Sequence, residues 1–291
     1  MANKSPPIRA CIFDVDGLLI NSEDIYTDIY NQVLGSYNRP TKLPWEIKAL
    51  QQSRGTKGTQ RVLDWANLSI PIQEWNTKCA ALHSRFETCA ALPGVLGLLD
   101  TLSHHTDPSI KIALASSSSR RLFGVKTSRL PEIAEAFPDH VRVFGDDSDM
   151  GDAKKKPMPD IFLLALERIN ASLGEGERSV KAEECLVFED SIAGVEAGRR
   201  AFMRVVWVPH EGLAKVCQGR EMVVLEGRTE VDGVAMDLFK EVGEVGSGER
   251  RLKTTDGWAQ MLRSLEDFPY DEYGICVARE NLEEAGDGLD V

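Results

Sequence analysis

The sequence predicts an α/β fold, a parallel sheet wound on both faces, with an all-helical domain inserted after the first strand. Three observations lead there. Short, β-favouring apolar runs recur at residues 8–13, 111–116 and 185–189. Each run ends on polar residues able to do chemistry. The first two are separated by a helical stretch too long for an ordinary crossover between parallel strands.

The first run, Ile8 to Phe13, follows a Pro pair and stops at Asp14-Val15-Asp16-Gly17. Ligands bind at the carboxyl ends of strands in open α/β sheets. Positions i and i+2 of an extended chain point the same way, so Asp14 and Asp16 are expected to face one pocket. Gly17 permits a sharp turn and close approach of backbone amides to an anion. Two carboxylates this close call for a bound cation, a shared proton, or both. One is then suited to act as nucleophile and the other as general acid/base. Taken alone, the motif also fits a plain Asp-x-Asp-Gly turn. An EF-hand loop is excluded because Leu18-Leu19-Ile20 stand where oxygen ligands are required.

Residues 21–91 read as helices around 24–34, 59–68 and 72–89, and Pro93-Gly94 marks the return to the main domain. Arg54 and Lys57 are candidates for touching a substrate, against the commoner reading of solvated charges. Trp45, Trp65 and Trp75 are expected to pack rather than stack on a base. The second strand, Lys111 to Ser116, runs into Ser116-Ser117-Ser118-Ser119 and a helix starting near Arg120. Hydroxyls and amides at such a junction suit an oxyanion or phosphate, although a Ser run also makes a loop or N-cap. Before the apolar helix 161–169, Lys156-Pro157-Met158-Pro159-Asp160 fixes Lys156 near the helix start and lets Asp160 cap it. Lys154 and Lys155 are expected to form a solvated patch. The third strand ends in Glu189-Asp190, and a Gly-containing helix with room for close packing follows. His104 and His105 fall near a helix end, where capping is expected before metal binding.

These four blocks, Asp14-Val15-Asp16-Gly17, Ser116, Lys156-Pro157 and Glu189-Asp190, appear in the order of the haloacid dehalogenase superfamily, which the chain resembles. The resemblance implies a Rossmann-like core with a helical cap and phosphatase activity on a small phosphorylated metabolite. By it, Asp14 becomes an aspartyl phosphate, and Asp16 protonates the leaving oxygen and then activates water. Ser116, Ser117, Gly17 and Lys156 hold and neutralise the phosphoryl group, with Arg54 as a further substrate contact. Mg²⁺ is held by Asp14, the Asp16 backbone carbonyl, Glu189 and Asp190. Phe123 to Arg129, Phe144 to Asp147, Cys185 to Asp190 and Ser264 to Phe268 look like the pseudouridine-5′-phosphatase branch, which implies pseudouridine 5′-phosphate as the first substrate to test. Two departures, Asn21 where relatives usually carry Asp and Gln52 where a cap Gly is expected, bear on the substrate rather than the chemistry. A dehalogenase has no need of Asp16, and a P-type ATPase carries Thr there. A sugar phosphomutase shares every core residue, and a non-catalytic phosphate-binding or scaffold protein should have lost one of Asp14, Asp16 or Lys156.

The domain expectation is therefore a core of residues 1–20 and 92–279 with an inserted loop at 226–256, a cap of residues 21–91, and a mobile acidic tail at 280–291. Six scattered cysteines without a C-x-x-C pair predict a reducing compartment, taken as the cytoplasm, and argue against structural zinc. In that compartment the Asn-x-Ser sequences at Asn67 and Asn170 carry no glycan. A net charge of −12 disfavours nucleic acid as a partner. No apolar run is long enough to cross a membrane, no signal peptide is expected, and no Walker A loop, dinucleotide fingerprint or repeat is found.

Overall fold

The structure, a computed structural model, describes residues 6–150, 155–229 and 256–278. Residues 230–255 of the insertion expected at 226–256, the acidic tail and Lys154 lie outside the described residues. Six described strands, β1 (Ala10–Phe13), β2 (Lys111–Ser116), β3 (Arg142–Phe144), β4 (Cys185–Glu189), β5 (Arg204–Trp207) and β6 (Ala259–Met261), form one sheet. Their order is β3-β2-β1-β4-β5-β6 and every pairing is parallel. The strand sequence reverses direction between β1 and β4, the crevice where such sheets bind ligands.

The sheet is buried on both faces, which is why its central strands read as continuous apolar runs. Cys11, Phe13, Leu186 and Phe188 enter one core cluster, while Ala10, Ile12, Cys185 and Val187 enter the other. Phe13 stacks on Phe188 at 4.4 Å across the β1/β4 pair, worth about 0.5–1.5 kcal/mol beyond area burial. Helices α5 (Val95–His104), α6 (Arg120–Lys126), α7 (Pro131–Ala136), α8 (Asp160–Ala171), α9 (Ile192–Arg200), α10 (Glu211–Val216) and α11 (Glu221–Leu225) complete the core. The glycines of α9 serve close packing: a Cβ on Gly198 would press on Val205, and one on Gly194 would overlap the Glu189 carboxylate.

Between β1 and β2 lie α1 (Ser22–Ser36), α2 (Trp45–Gln51), α3 (Gly55–Trp65), α4 (Ile72–Ala80) and a 3₁₀ turn (His83–Thr88). They form the all-helical cap. Its two ends pair with each other: Ile20 bridges Ala91, Asn21 N–H donates to Ala90 O (3.1 Å), and Ala90 N–H donates to Asn21 Oδ1 (2.8 Å). Three details differ from the sequence expectation. The stretch 72–89 is not one helix, because the chain tightens after Ala80 and brings Phe86 against Tyr26 at 4.6 Å, packing that outweighs local propensity. Asp160 is the first residue of α8, not its cap, and Pro159 holds the cap position. Lys155 is half-buried, its side chain lying against Gly55 of the cap. Trp75 is buried as expected, and no helix among the described residues is long and apolar enough to cross a membrane.

Candidate active site

The register of β1, β2 and β4 sets their polar ends side by side. Phe13 lies opposite Leu114 and Phe188, so Asp14, Ser116 and Glu189 emerge at nearly one level. Asp14 is 3 % exposed and receives a hydrogen bond from Lys156 Nζ, which also donates to Ala115 O (3.2 Å) and pairs with Glu189 Oε1 (2.6 Å). Glu189 Oε2 in turn accepts from the Asp190 and Ser191 backbone N–H groups and from Ser191 Oγ, each at 3.1 Å, at the start of α9. The backbone carbonyl of Asp190 is fixed by Trp207 Nε1 at 2.7 Å. Its carboxylate accepts from Gln52 Nε2 at 2.9 Å, a bond from the cap to the core.

Asp14, Glu189 and Asp190 can bring one oxygen each within 4.8 Å of one another. Burial pushes the Asp14 carboxyl up to about 7, helped by Glu189 and Asp16 and opposed by Lys156. Burial likewise raises Asp190 well above the usual carboxylate range, and the charges of Glu23, Glu189 and Asp14 add to it. Around these strand ends the carboxyls of Asp14, Asp16, Glu23, Glu189 and Asp190 gather beside the buried Lys48, Lys126 and Lys156. A hard divalent cation fits the buried oxygen donors of Asp14, Glu189 and Asp190.

Asp16 takes a different environment. Its carboxylate is not part of that cluster. Oδ1 accepts from Ser22 Oγ (2.6 Å) and from Lys126 Nζ, and Oδ2 accepts from Ser118 Oγ (2.7 Å). Burial alone would raise its pKa, but Lys126 and these hydroxyls pull it below the ordinary value. Gly17 turns the chain at φ +79°, and a Cβ there would strike the Asp190 carboxylate and the Glu23 side chain.

A cavity of about 150 Å³ lies over Asp16 and Asp190, between Ser117 and Ser118 of the core and Tyr26, Gln52 and Gly55 of the cap. Lys155 also lines it. Ser116 is fully buried behind it, its Oγ accepting from Ser118 N–H at 3.2 Å. Arg54 is buried at the start of α3 beside the cavity's lining and is not part of it, and Lys57 is exposed. A larger cavity of about 980 Å³, lined by Arg204, Trp258 and Tyr273, opens at the amino end of the strands, away from these groups.

Sequence reasoning passed over Ser22, Tyr26, Ser118 and Lys126 as individual site residues. Lys126 was visible only inside the stretch 123–129 that carries a family resemblance. Ser22 and Glu23 stood only beside a noted departure at Asn21. Glu23 is 6 % exposed and pairs with the buried Lys48 of α2 at 3.0 Å.

The chain matches the haloacid dehalogenase-like hydrolase family over residues 8–201. It is 38% identical over 226 residues to a probable pseudouridine-5′-phosphatase of Saccharomyces cerevisiae, covering 77% of this chain and 92% of the relative. It is 31% identical over 206 residues to (DL)-glycerol-3-phosphatase 2 of Arabidopsis thaliana, covering 69% and 80% of the two chains. In fold it is similar to a haloacid dehalogenase hydrolase of family IA, variant 3, from Entamoeba histolytica, with a TM-score of 0.58 and 20% identity over 80% of this chain and 100% of that one. The protein belongs to the haloacid dehalogenase-like hydrolase family, as a phosphatase.

Proposed function

We propose that this phosphatase hydrolyses a small phosphomonoester through an aspartyl phosphate on Asp14, in the presence of Mg²⁺, with pseudouridine 5′-phosphate as first substrate. The observation that carries the reading is the separation of the two strand-end carboxylates. Asp14 is buried against Lys156 and the Glu189–Asp190 pair, whereas Asp16 reaches the cavity and has its own cation. Asp14 stands where Lys156 can hold it ionised for attack, and Asp16 stands at the cavity, where a leaving oxygen or a water would be met. The yeast relative's name supports the choice of substrate.

In this reading Asp14 attacks phosphorus in line, while Lys156 and the hydroxyl and amide groups of Ser116 and Ser117 neutralise the phosphoryl oxygens. Asp16 gives its proton to the leaving oxygen as the P–O bond breaks, and the product alcohol departs. Asp16 then takes a proton from water, whose oxygen attacks the phosphorus and frees the Asp14 carboxylate with inorganic phosphate. Asp14, the Asp16 carbonyl, Glu189 and Asp190 would hold Mg²⁺, which would supply charge neutralisation at the phosphoryl oxygens. The cap of residues 21–91, joined to the core at the Asn21/Ala90 neck, excludes water from the first transfer. Six free cysteines, five of them buried, support a reducing compartment, and we place the enzyme in the cytoplasm.

A second reading draws on the cavity. Pockets for small-molecule ligands run to about 300–1,000 Å³, so about 150 Å³ favours a compact leaving group such as glycerol unless the cap moves outward. The Arabidopsis glycerol-3-phosphatase supports this choice.

The test is phosphate release from a panel of esters that includes pseudouridine 5′-phosphate, glycerol 3-phosphate and hexose phosphates, with Mg²⁺ and with EDTA. Strong Mg²⁺-dependent release from one ester is expected. Asp14→Asn should abolish it, and Asp16→Asn should slow it by about 10²–10⁴-fold. Near-normal turnover by Asp14→Asn sinks the nucleophile assignment. Silence of folded, Mg²⁺-loaded protein across the panel moves the reading to a mutase or a binding role.

A further inference from the structure

Lys126 ends α6, where the helix dipole favours a cation, yet its ammonium is removed from water entirely, with no exposed side-chain surface. Taking an ammonium out of water costs several kcal/mol unless strong partners replace the hydration. All three of its protons have such partners. They go to Asp16 Oδ1, to Ser118 Oγ at 2.8 Å and to Tyr26 Oη at 3.0 Å. The rings of Tyr26 and Phe86, both from the cap, lie 4.8 and 5.0 Å from the nitrogen.

These contacts leave Lys126 no room to serve as a surface charge or a general packing residue. Its one carboxylate partner is Asp16, and with Ser22 and Ser118 it fixes both Asp16 oxygens. Lys126 does not line the cavity, whereas Asp16, Ser118 and Tyr26 do. It therefore reaches a bound ester only through them.

We propose that Lys126, seated on Tyr26 and Phe86, is the positioning residue of Asp16: with Ser22 and Ser118 it holds the carboxyl aimed at the leaving oxygen. The inference rests on the phosphatase reading above and assigns a role to a residue outside the four sequence blocks. It makes a selective demand. Breaking the P–O bond to an alkyl leaving group needs the proton from Asp16, and breaking it to p-nitrophenolate does not.

The experiment compares kcat/KM, which reports steps up to release of the leaving group, on the best alkyl phosphate of the panel and on p-nitrophenyl phosphate, with Mg²⁺ saturating. Lys126→Met should lose about 100-fold on the alkyl ester and under about threefold on p-nitrophenyl phosphate, the same pattern as Asp16→Asn. Tyr26→Phe removes one partner of the ammonium without touching Asp16. It should show the same selectivity at about tenfold, and it decides the matter if Lys126→Met does not fold. Equal losses on the two esters, or none, overturn the proposal. Wild-type protein inactive on both overturns the phosphatase reading and the proposal with it, whereas active wild type with unselective variants overturns the proposal alone.

Discussion

Each carboxylate leaving β1 is matched by its own buried ammonium, Asp14 by Lys156 and Asp16 by Lys126, and the pairing divides the labour between them. Lys156 was legible because a proline-stiffened loop before a helix predicts a fixed side chain. Lys126 was not, since a lysine ten positions beyond Ser116 on a short helix looks like any solvated charge until the fold turns it inward. Away from the site, Glu184 shows how a charge pair at the edge of the sheet is read from its titration. Arg178 grips it with two hydrogen bonds of 2.6 and 3.0 Å, and Lys181 N–H adds a third at 2.9 Å. Those bonds, the Arg178 fork first, outweigh burial and pull the carboxyl down to about 2. A carboxyl depressed in the folded state contributes stability that is complete above its ordinary value near 4.5 and is lost as pH falls toward 2. Arg178→Gln should therefore lower stability at pH 6 and flatten its fall between pH 4.5 and pH 2. Urea midpoints of the two proteins across that range check it, and parallel curves would show that the pair contributes nothing.

The elements that carry the chemistry were the ones legible in the sequence, for a physical reason: β1, β2 and β4 are buried on both faces and so advertise themselves as apolar runs. Strands β3 and β6 have three residues each, too few for a periodic signal, and α2 has only seven. That short helix nonetheless anchors the cap. Trp45 at its start stacks on His210 at 4.5 Å, and His210 pairs with Asp24 of α1 at 3.3 Å. A Cβ on Gly212 would overlap the Trp45 indole, so the ring rests directly on backbone at the start of α10. A stacked pair of this kind is worth about 0.5–1.5 kcal/mol, or up to about tenfold in an equilibrium. Trp45→Ala should lower kcat/KM by about three- to tenfold and speed proteolytic cleavage within residues 21–91. Limited proteolysis beside kinetics tests this. A lower melting temperature with unchanged kinetics would make the contact one of stability alone.

Across the molecule, the strand ends bring buried carboxyls together, and burial and mutual repulsion raise the pKa of two of them. Asp190 is the clearest case, since it is 2 % exposed, the neutral Gln52 amide donates to its carboxylate, and burial together with the carboxylates of Glu23, Glu189 and Asp14 raises its pKa. A carboxyl whose pKa is raised in the folded state is held in a charged form at neutral pH only at the expense of stability, unless a cation is bound. Asp190→Asn keeps the shape and an acceptor for Gln52 and removes the charge. Without metal, this variant should melt above the parent by about 2–4 °C, corresponding to about 1 kcal/mol in a chain of this size. With Mg²⁺ at a hundred times its dissociation constant the order should reverse, because the parent gains about 2.7 kcal/mol from binding and the variant gains little. Thermal melts of both proteins, in EDTA and over a Mg²⁺ titration, measure the two effects separately. A variant less stable than the parent in EDTA would mean that Asp190 is already paired within the fold. A variant that responds to Mg²⁺ as the parent does would remove Asp190 from the cation's ligands. The expected crossing of the two curves ties a cost in stability to the group that a divalent cation needs.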